Sequence, residues 1–153
     1  MHRLELRIPP AVLVLIFAGL MWGVDRLTPW AAIAIPGKAW VALALWLAGL
    51  GLIACGIATF IAVRTTSNPF APEQSSSLVT HGVYRFSRNP MYVGFLLLLA
   101  AWNVYLENGL PLLLLPLFVW YLNRFQIMPE EKVLLSKFGD DFANYMNSVR
   151  RWF

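Results

Sequence analysis

AWVALALWLAGLGLIACGIATFIAV, Ala39 to Val63, is 25 residues without a charge, bracketed by Lys38 and Arg64. A helix crossing a bilayer needs roughly 20 predominantly apolar residues, so this stretch predicts a membrane span, with Trp40 and Trp46 as interfacial rings. Gly49, Gly51, Cys55, Gly56 and Ala58 thin part of it enough for close helix packing, within one chain or between two copies. The rest of the chain agrees with lipid as its solvent. Of 153 residues, 59% are hydrophobic and 13% charged, against about 45–50% and about 25% in soluble domains. Disorder, a nucleic-acid module and a disulfide scaffold are excluded, the last because Cys55 is the single cysteine.

On the N-terminal side, an apolar run from Pro9 meets Asp25 and Arg26 and ends near Thr28. It follows His2, Arg3 and Arg7 as a signal peptide would, but no small-residue cleavage site and polar mature domain come after it, so a retained helix is expected. Pro29 to Pro36 reads as an interfacial or re-entrant piece. On the C-terminal side, Thr65 to Asn89 is polar, with Pro69, Pro72 and Ser75-Ser76-Ser77. Met91 to Leu106 and Leu110 to Asn123 are further apolar runs, joined by a turn so short that they must form an antiparallel hairpin. From Glu130 onward, Leu134, Phe138, Phe142, Tyr145 and Val149 recur at helical spacing among polar residues, and Gly139-Asp140 reads as a stop and a new N-cap. The expectation is one all-α polytopic membrane domain over 1–153. Its four transmembrane helices lie near 9–28, 39–63, 90–106 and 109–127, with a cap from 65–89 and from amphipathic helices in 130–153.

With both termini on one side, ten of the twelve Lys and Arg residues fall there, and only Arg26 and Lys38 fall opposite. This bias predicts cytoplasmic termini and a cytoplasmic long loop, and it accounts for the net charge of +4 without nucleic acid. The polar residues on that side gather in Leu78-Val79-Thr80-His81-Gly82-Val83-Tyr84-Arg85-Phe86-Ser87-Arg88-Asn89-Pro90-Met91-Tyr92-Val93-Gly94 and around Pro129-Glu130-Glu131. Pro90 is placed as a helix starter, where its missing N–H is no loss. The hairpin brings the start of the third span close to the end of the fourth, so the Arg/Asn/Tyr group and the glutamate pair should be neighbours.

The stretch LVTHGVYRFSRNPMYVG resembles the signature of the membrane methyltransferases that include isoprenylcysteine carboxyl methyltransferase and the phospholipid N-methyltransferases. A second element matches with Glu130-Glu131, Phe138-Gly139, Phe142, Tyr145, Val149 and Arg151-Trp152, and the resemblance covers about Pro69 to Trp152. It implies S-adenosylmethionine bound at the cytoplasmic end of the last two spans and a lipophilic acceptor arriving sideways between helices. Cofactor contacts are expected from Val79, His81, Gly82, Tyr84, Asn89, Pro90, Tyr92, Glu130 and Glu131, and catalytic roles from Arg88, Asn89 and Glu130. No metal is expected. Methyl transfer asks mainly for positioning and electrostatics. The glutamates suit ribose hydroxyls or an ammonium group, and Tyr84, Tyr92 and Tyr121 offer ring faces to adenine or a sulfonium. Arg85 or Arg88 suits a carboxylate. Asn89 stands where the isoprenylcysteine enzymes often carry histidine, and an amide cannot act as a base.

Plainer readings exist for each residue. The arginines also serve as positive-inside anchors, the tyrosines as an aromatic belt, and a glutamate as a stabiliser of a helix N-terminus. Two other functions fit parts of the pattern. Membrane sterol reductases, which use NADPH, carry a similar C-terminal Arg-His-Pro element, and a four-span scaffold would explain the spans and the charge bias.

Overall fold

A computed structural model describes residues 5–63 and 77–153. Arg3, Arg64, Pro69, Pro72 and Ser75-Ser76 of the expected cap and charge pattern lie outside the described residues. Among the described residues, five α-helices follow in order: α1 Pro10–Leu27, α2 Lys38–Ala62, α3 Pro90–Leu106, α4 Leu114–Leu122 and α5 Met128–Ser148. A π-helical turn, Asn123–Ile127, fuses α4 to α5. Pro10 and Pro90 begin α1 and α3 in the first turn, as their missing N–H groups permit.

Among the described residues, three helical stretches are long and apolar enough to cross a membrane: α1, α2 and the continuous run Pro111–Ser148. The third expected span, α3, is apolar but has 17 residues, about 25 Å of helix against a hydrocarbon core of about 30 Å. The fourth and the tail are not separate bodies. Pro129 falls in the first turn of α5, where a proline does not break a helix, and the chain passes straight from the apolar part into the amphipathic part. Gly139 interrupts α5 with φ 52° and ψ −125°, the break expected at Gly139-Asp140.

Leu13, Phe17 and Met21 of α1, Tyr92 and Leu99 of α3, and Phe118, Leu122 and Ile127 form the core. Phe17 and Phe118 meet edge to face at 5.2 Å. Outside this core the outer faces of α1 and α2 are apolar. Trp40 is 77% exposed, and Leu15, Trp46, Leu47 and Ile61 are also uncovered. An apolar surface of this extent is the signature of a helix whose outer faces meet lipid.

The α2–α3 contact is made by glycines. Gly49 and Gly56 are the buried residues of α2. A Cβ on Gly94 would stand 2.7 Å from the Gly49 carbonyl oxygen and 2.7 Å from Ile53, and one on Gly49 would stand 2.8 Å from the Gly94 carbonyl oxygen. The backbones therefore touch where the helices cross. Gly51, Cys55 and Ala58 lie on the exposed side of α2. The small-residue stripe thus divides, and its Gly49/Gly56 edge packs inside the chain.

At the end of the bundle remote from Glu130, Pro29–Pro36 docks on the α3–α4 turn. Ile33 N donates to Glu107 O at 2.7 Å and Gly109 N to Ala31 O at 3.1 Å. The buried Asn108 side chain donates to Thr28 O at 2.9 Å and Asp25 Oδ1 at 3.2 Å. This clamp fixes the hairpin and hence the position of its opposite mouth.

Gly94→Ala is expected to lower detergent-phase stability by about 1–3 kcal/mol, the usual cost of forcing atoms into a filled contact. Gly51→Ala, with nothing within 4 Å of the new Cβ, should leave stability unchanged or raise it. Equal thermal unfolding curves for the two variants would contradict the crossing geometry.

Candidate active site

The mouth opposite that clamp is built by three chain segments: residues 77–92, the π-turn with the start of α5, and the C-terminal residues 142–152. Glu131 ties them together. Its Oε1 accepts from Arg88 Nη2 at 2.8 Å and from Arg151 Nε at 3.1 Å, and its Oε2 accepts from Arg151 Nη2. Arg88 also donates through Nη1 to the carbonyls of Met146 at 2.7 Å and Val149 at 3.1 Å, and its backbone N–H donates to Arg150 O at 3.0 Å. Asn89 Nδ2 donates to Arg151 O at 2.9 Å. Tyr145 OH donates to Tyr84 O at 2.7 Å, and Trp152 Nε1 to Asn123 Oδ1 at 3.0 Å. The last residues are thereby strapped across the start of α3 and the end of α4.

Glu130 is handled differently. Tyr92 OH donates to its Oε1 at 2.7 Å, and Gln126 Nε2 donates to the same oxygen at 2.8 Å. No donor among the described residues reaches Oε2. Burial pushes the Glu130 carboxyl up to about 7, with the neighbouring Glu131 charge adding to the rise, while the bonds from Tyr92 and Gln126 hold it down. The adjacent glutamates therefore have distinct chemistry: Glu131 is consumed by two guanidinium groups, and Glu130 keeps one oxygen for something else.

The remaining expected residues lie around this pair. Val79 and Tyr84 are buried, and Tyr84 meets Phe60 edge to face at 5.3 Å. Burial raises the Tyr84 phenol above its ordinary range, so it is neutral at physiological pH. His81 and Gly82 are exposed; His81 precedes the short 3₁₀ turn Gly82–Arg85. Gly82 takes φ +62°, a conformation that favours glycine, and approaches Thr59 of α2. Asn89 precedes α3 and Pro90 opens it. Arg85 is exposed and stands apart from the Glu131 network. Tyr121 packs on Phe125 with ring centroids 4.8 Å apart. Arg124 pairs with Glu5 at 3.0 Å rather than standing alone at the interface. Trp152 packs against the core, whereas Phe153 is 69% exposed.

Three participants were not anticipated: Gln126, Asn123 and the ion-paired side chain of Arg151. Gln126 stands four residues before Glu130, on the same helical face, and that spacing was the available signal.

The chain is similar to known proteins over much of its length. The family profile described as phospholipid methyltransferase matches residues 37–141. The chain is 34% identical over 113 residues to the protein-S-isoprenylcysteine O-methyltransferase of Tribolium castaneum, covering 68% of this chain and 40% of that protein. It is 33% identical over 113 residues to protein-S-isoprenylcysteine O-methyltransferase A of Arabidopsis thaliana, covering 68% and 57%. A Haemophilus influenzae protein described as uncharacterized is 47% identical over 62 residues, 40% of this chain and 98% of that one. The chain thus spans about half the length of these named methyltransferases, or less. By the profile match over more than half of its length, the chain belongs to the phospholipid methyltransferase family.

Glu131→Gln removes the charge shared by Arg88 and Arg151. Residues 146–152 are expected to exchange backbone amide hydrogens about ten- to a hundredfold faster, the equivalent of about 1–3 kcal/mol for partly buried donors left without a full partner. Arg85→Gln should leave exchange there unchanged. Protection of the strap in Glu131→Gln equal to the parent would contradict its role as the tie.

Proposed function

We propose that the chain transfers a methyl group from S-adenosylmethionine to a lipophilic acceptor at the membrane–cytoplasm interface, as a four-span protein with both termini cytoplasmic. One observation carries this reading. Two sequence elements 38 residues apart meet in the bond from Tyr92 OH to Glu130 Oε1, at a mouth bordered by the aromatic rings of Tyr84 and Tyr92. Family membership and the printed activity of the relatives support the reaction class. The orientation is supported by charge. Among the described residues, Arg7, Arg85, Arg88, Arg124, Lys132, Lys137, Arg150 and Arg151 lie toward the site end, and Arg26 and Lys38 toward the other.

The residues present fit the cofactor's chemistry. Glu130 Oε2 has no donor among the described residues and suits a cationic ammonium group. The Nε of Arg88 is buried with no acceptor there and suits an anionic one. Tyr84 and Tyr92 supply neutral rings. Bound S-adenosylmethionine supplies a sulfonium methyl, which leaves its sulfur as a thioether when a lone pair of the acceptor forms the new bond. The chain's task is then to bind, orient and exclude water. Glu130, Tyr92, Tyr84 and the Nε of Arg88 bind, with Val79, Gly82 and Pro90 shaping the backbone around them and His81 at the rim. Asn89 and Glu131 act as positioning residues by holding the strap over the mouth, to which the terminal nitrogens of Arg88 also bond. Asn89 donates through its amide and takes no proton, so the acceptor must arrive with its lone pair free, as a carboxylate, a neutral lipid amine or a thiolate. Membrane lipids and that lipophilic acceptor are the partners.

Isothermal titration of the detergent-purified protein with S-adenosylhomocysteine tests this. Glu130→Gln and Tyr92→Phe, which removes only the hydroxyl that bonds Glu130 and keeps the buried ring, are expected to weaken binding at least tenfold while leaving the thermal unfolding curve in place. Binding of NADPH with no response to S-adenosylhomocysteine would favour a reductase, and parental affinity in both variants would contradict the site. The pH dependence has a fixed sign. Below about 7 the Glu130 carboxyl is protonated in the free protein, and a cation binds its ionised form. Affinity should therefore rise with pH, by up to tenfold per unit, and level above neutrality. In Glu130→Gln this rise should vanish.

A further inference from the structure

Gln126 is 3% exposed, and a buried amide is costly unless its polar atoms are used. It belongs to neither motif that identifies the family. It sits in the π-helical turn Asn123–Ile127, where i→i+5 bonding lodges an extra residue in one turn of an otherwise continuous helix. Such turns are often found at functional sites, and two observations connect this one to the site. Asn123, its first residue, receives the Trp152 indole N–H of the strap at 3.0 Å, and Gln126 reaches Glu130 at 2.8 Å.

The convergence on one oxygen is informative. Glu130 has two carboxylate oxygens, and Tyr92 and Gln126 both donate to Oε1. One donor on each oxygen would satisfy the carboxylate internally and leave little for a ligand. Two donors on Oε1, from α3 and from the π-turn, fix the carboxylate plane and leave Oε2 as the oxygen without a donor among the described residues. A glutamine also tolerates both protonation states of its partner, because its amide donates through Nε2 to a carboxylate and accepts through Oε1 from a carboxylic acid. A leucine or methionine would fill the same volume and do neither. The titratable groups facing Glu130 are Tyr92 from α3, Tyr84 from the loop before it and Glu131 beside it.

Resting on the reading of Glu130 as a cofactor-binding carboxylate, we propose that Gln126 is a positioning residue for methyl transfer: held by the π-turn, it pins Oε1 of Glu130 together with Tyr92 so that Oε2 faces the cationic amino group of the ligand. The residue touches neither cofactor nor acceptor and acts through Glu130.

The test uses the full chain in detergent, with S-adenosylhomocysteine as the probe and two variants, Gln126→Leu and Gln126→Glu. In the ligand-free protein, the Glu130 carboxyl is followed by ¹³C NMR and assigned by its loss in Glu130→Gln. Gln126→Leu should weaken binding about tenfold or more and move the Glu130 titration to higher pH, because a donor to the charged form is gone. Gln126→Glu should bind weakly at pH 8 and recover in part as pH falls toward neutrality, where one proton on the new side chain lets it donate to a still-ionised Glu130, before binding falls again at lower pH as it does in the parent. A residue that merely filled space would move neither the titration nor the pH dependence of binding. Parental affinity and an unmoved titration in Gln126→Leu would overturn the proposal. So would loss of binding in Gln126→Glu that stays the same at every pH. A shifted titration in a chain whose parent form binds no S-adenosylhomocysteine would keep Gln126 as the partner of Glu130 while removing the cofactor reading.

Discussion

The carboxylate of Glu131 holds the site end of this molecule together. Arg88 comes from the segment before α3, Arg151 from the chain terminus, and Glu131 itself from the first turn of α5. Without that shared charge, the three segments would be left with the bonds of Arg88 and Asn89 to the strap's carbonyls and no ion pair to keep them adjacent. The pair is partly buried, where charges are screened less than at an open surface. Each partner has further bonds, so the geometry is over-determined: Arg88 spends both terminal nitrogens, and Asn89 adds a bond to the same strap. The strap in turn covers the mouth where Tyr92 meets Glu130.

This division of labour explains why two adjacent glutamates occur at all. A single carboxylate cannot both neutralise two guanidinium groups and remain available to a ligand. With Glu131 occupied by the arginines, Glu130 is buried with neutral donors alone, and burial, with a further rise from the Glu131 charge, pushes its carboxyl up to about 7. The membrane supplies the other constraint. The α2–α3 crossing at Gly49 and Gly94 brings the backbones into contact, and the outer clamp around Asn108 fixes the opposite end. The apolar surface left on α1 and α2 faces lipid, the phase from which a lipophilic acceptor would come.

Much of this arrangement was legible from residue order. The uncharged run after Lys38 located α2, Pro90 located the start of α3, and the short turn at Glu107–Gly109 required the hairpin that brings Tyr92 to Glu130. Other parts were less visible for physical reasons. Pro129 reads as a breaker in one dimension, yet it lies in the first turn of α5 after a π-turn, so α4 and α5 run on as one helical body. Gln126 sits within a sequence that hydropathy treats as the end of a span, and only its i, i+4 relation to Glu130 marks it. Arg85 and Arg88 look alike in sequence. They separate in space because Arg88 lies beside the strap's carbonyls, while Arg85 ends an exposed 3₁₀ turn. The small residues of α2 likewise separate into a packed edge and a lipid-facing one only when the position of α3 is known.

The most direct test of the central claim is to follow the methyl group itself. Purified protein reconstituted in vesicles made from a total lipid extract would be given S-adenosylmethionine labelled in its methyl group. Label should pass into the organic-extractable fraction with the parent chain and fall at least tenfold with Glu130→Gln. Label that stays entirely in the aqueous phase, or moves equally well with Glu130→Gln, would contradict the account.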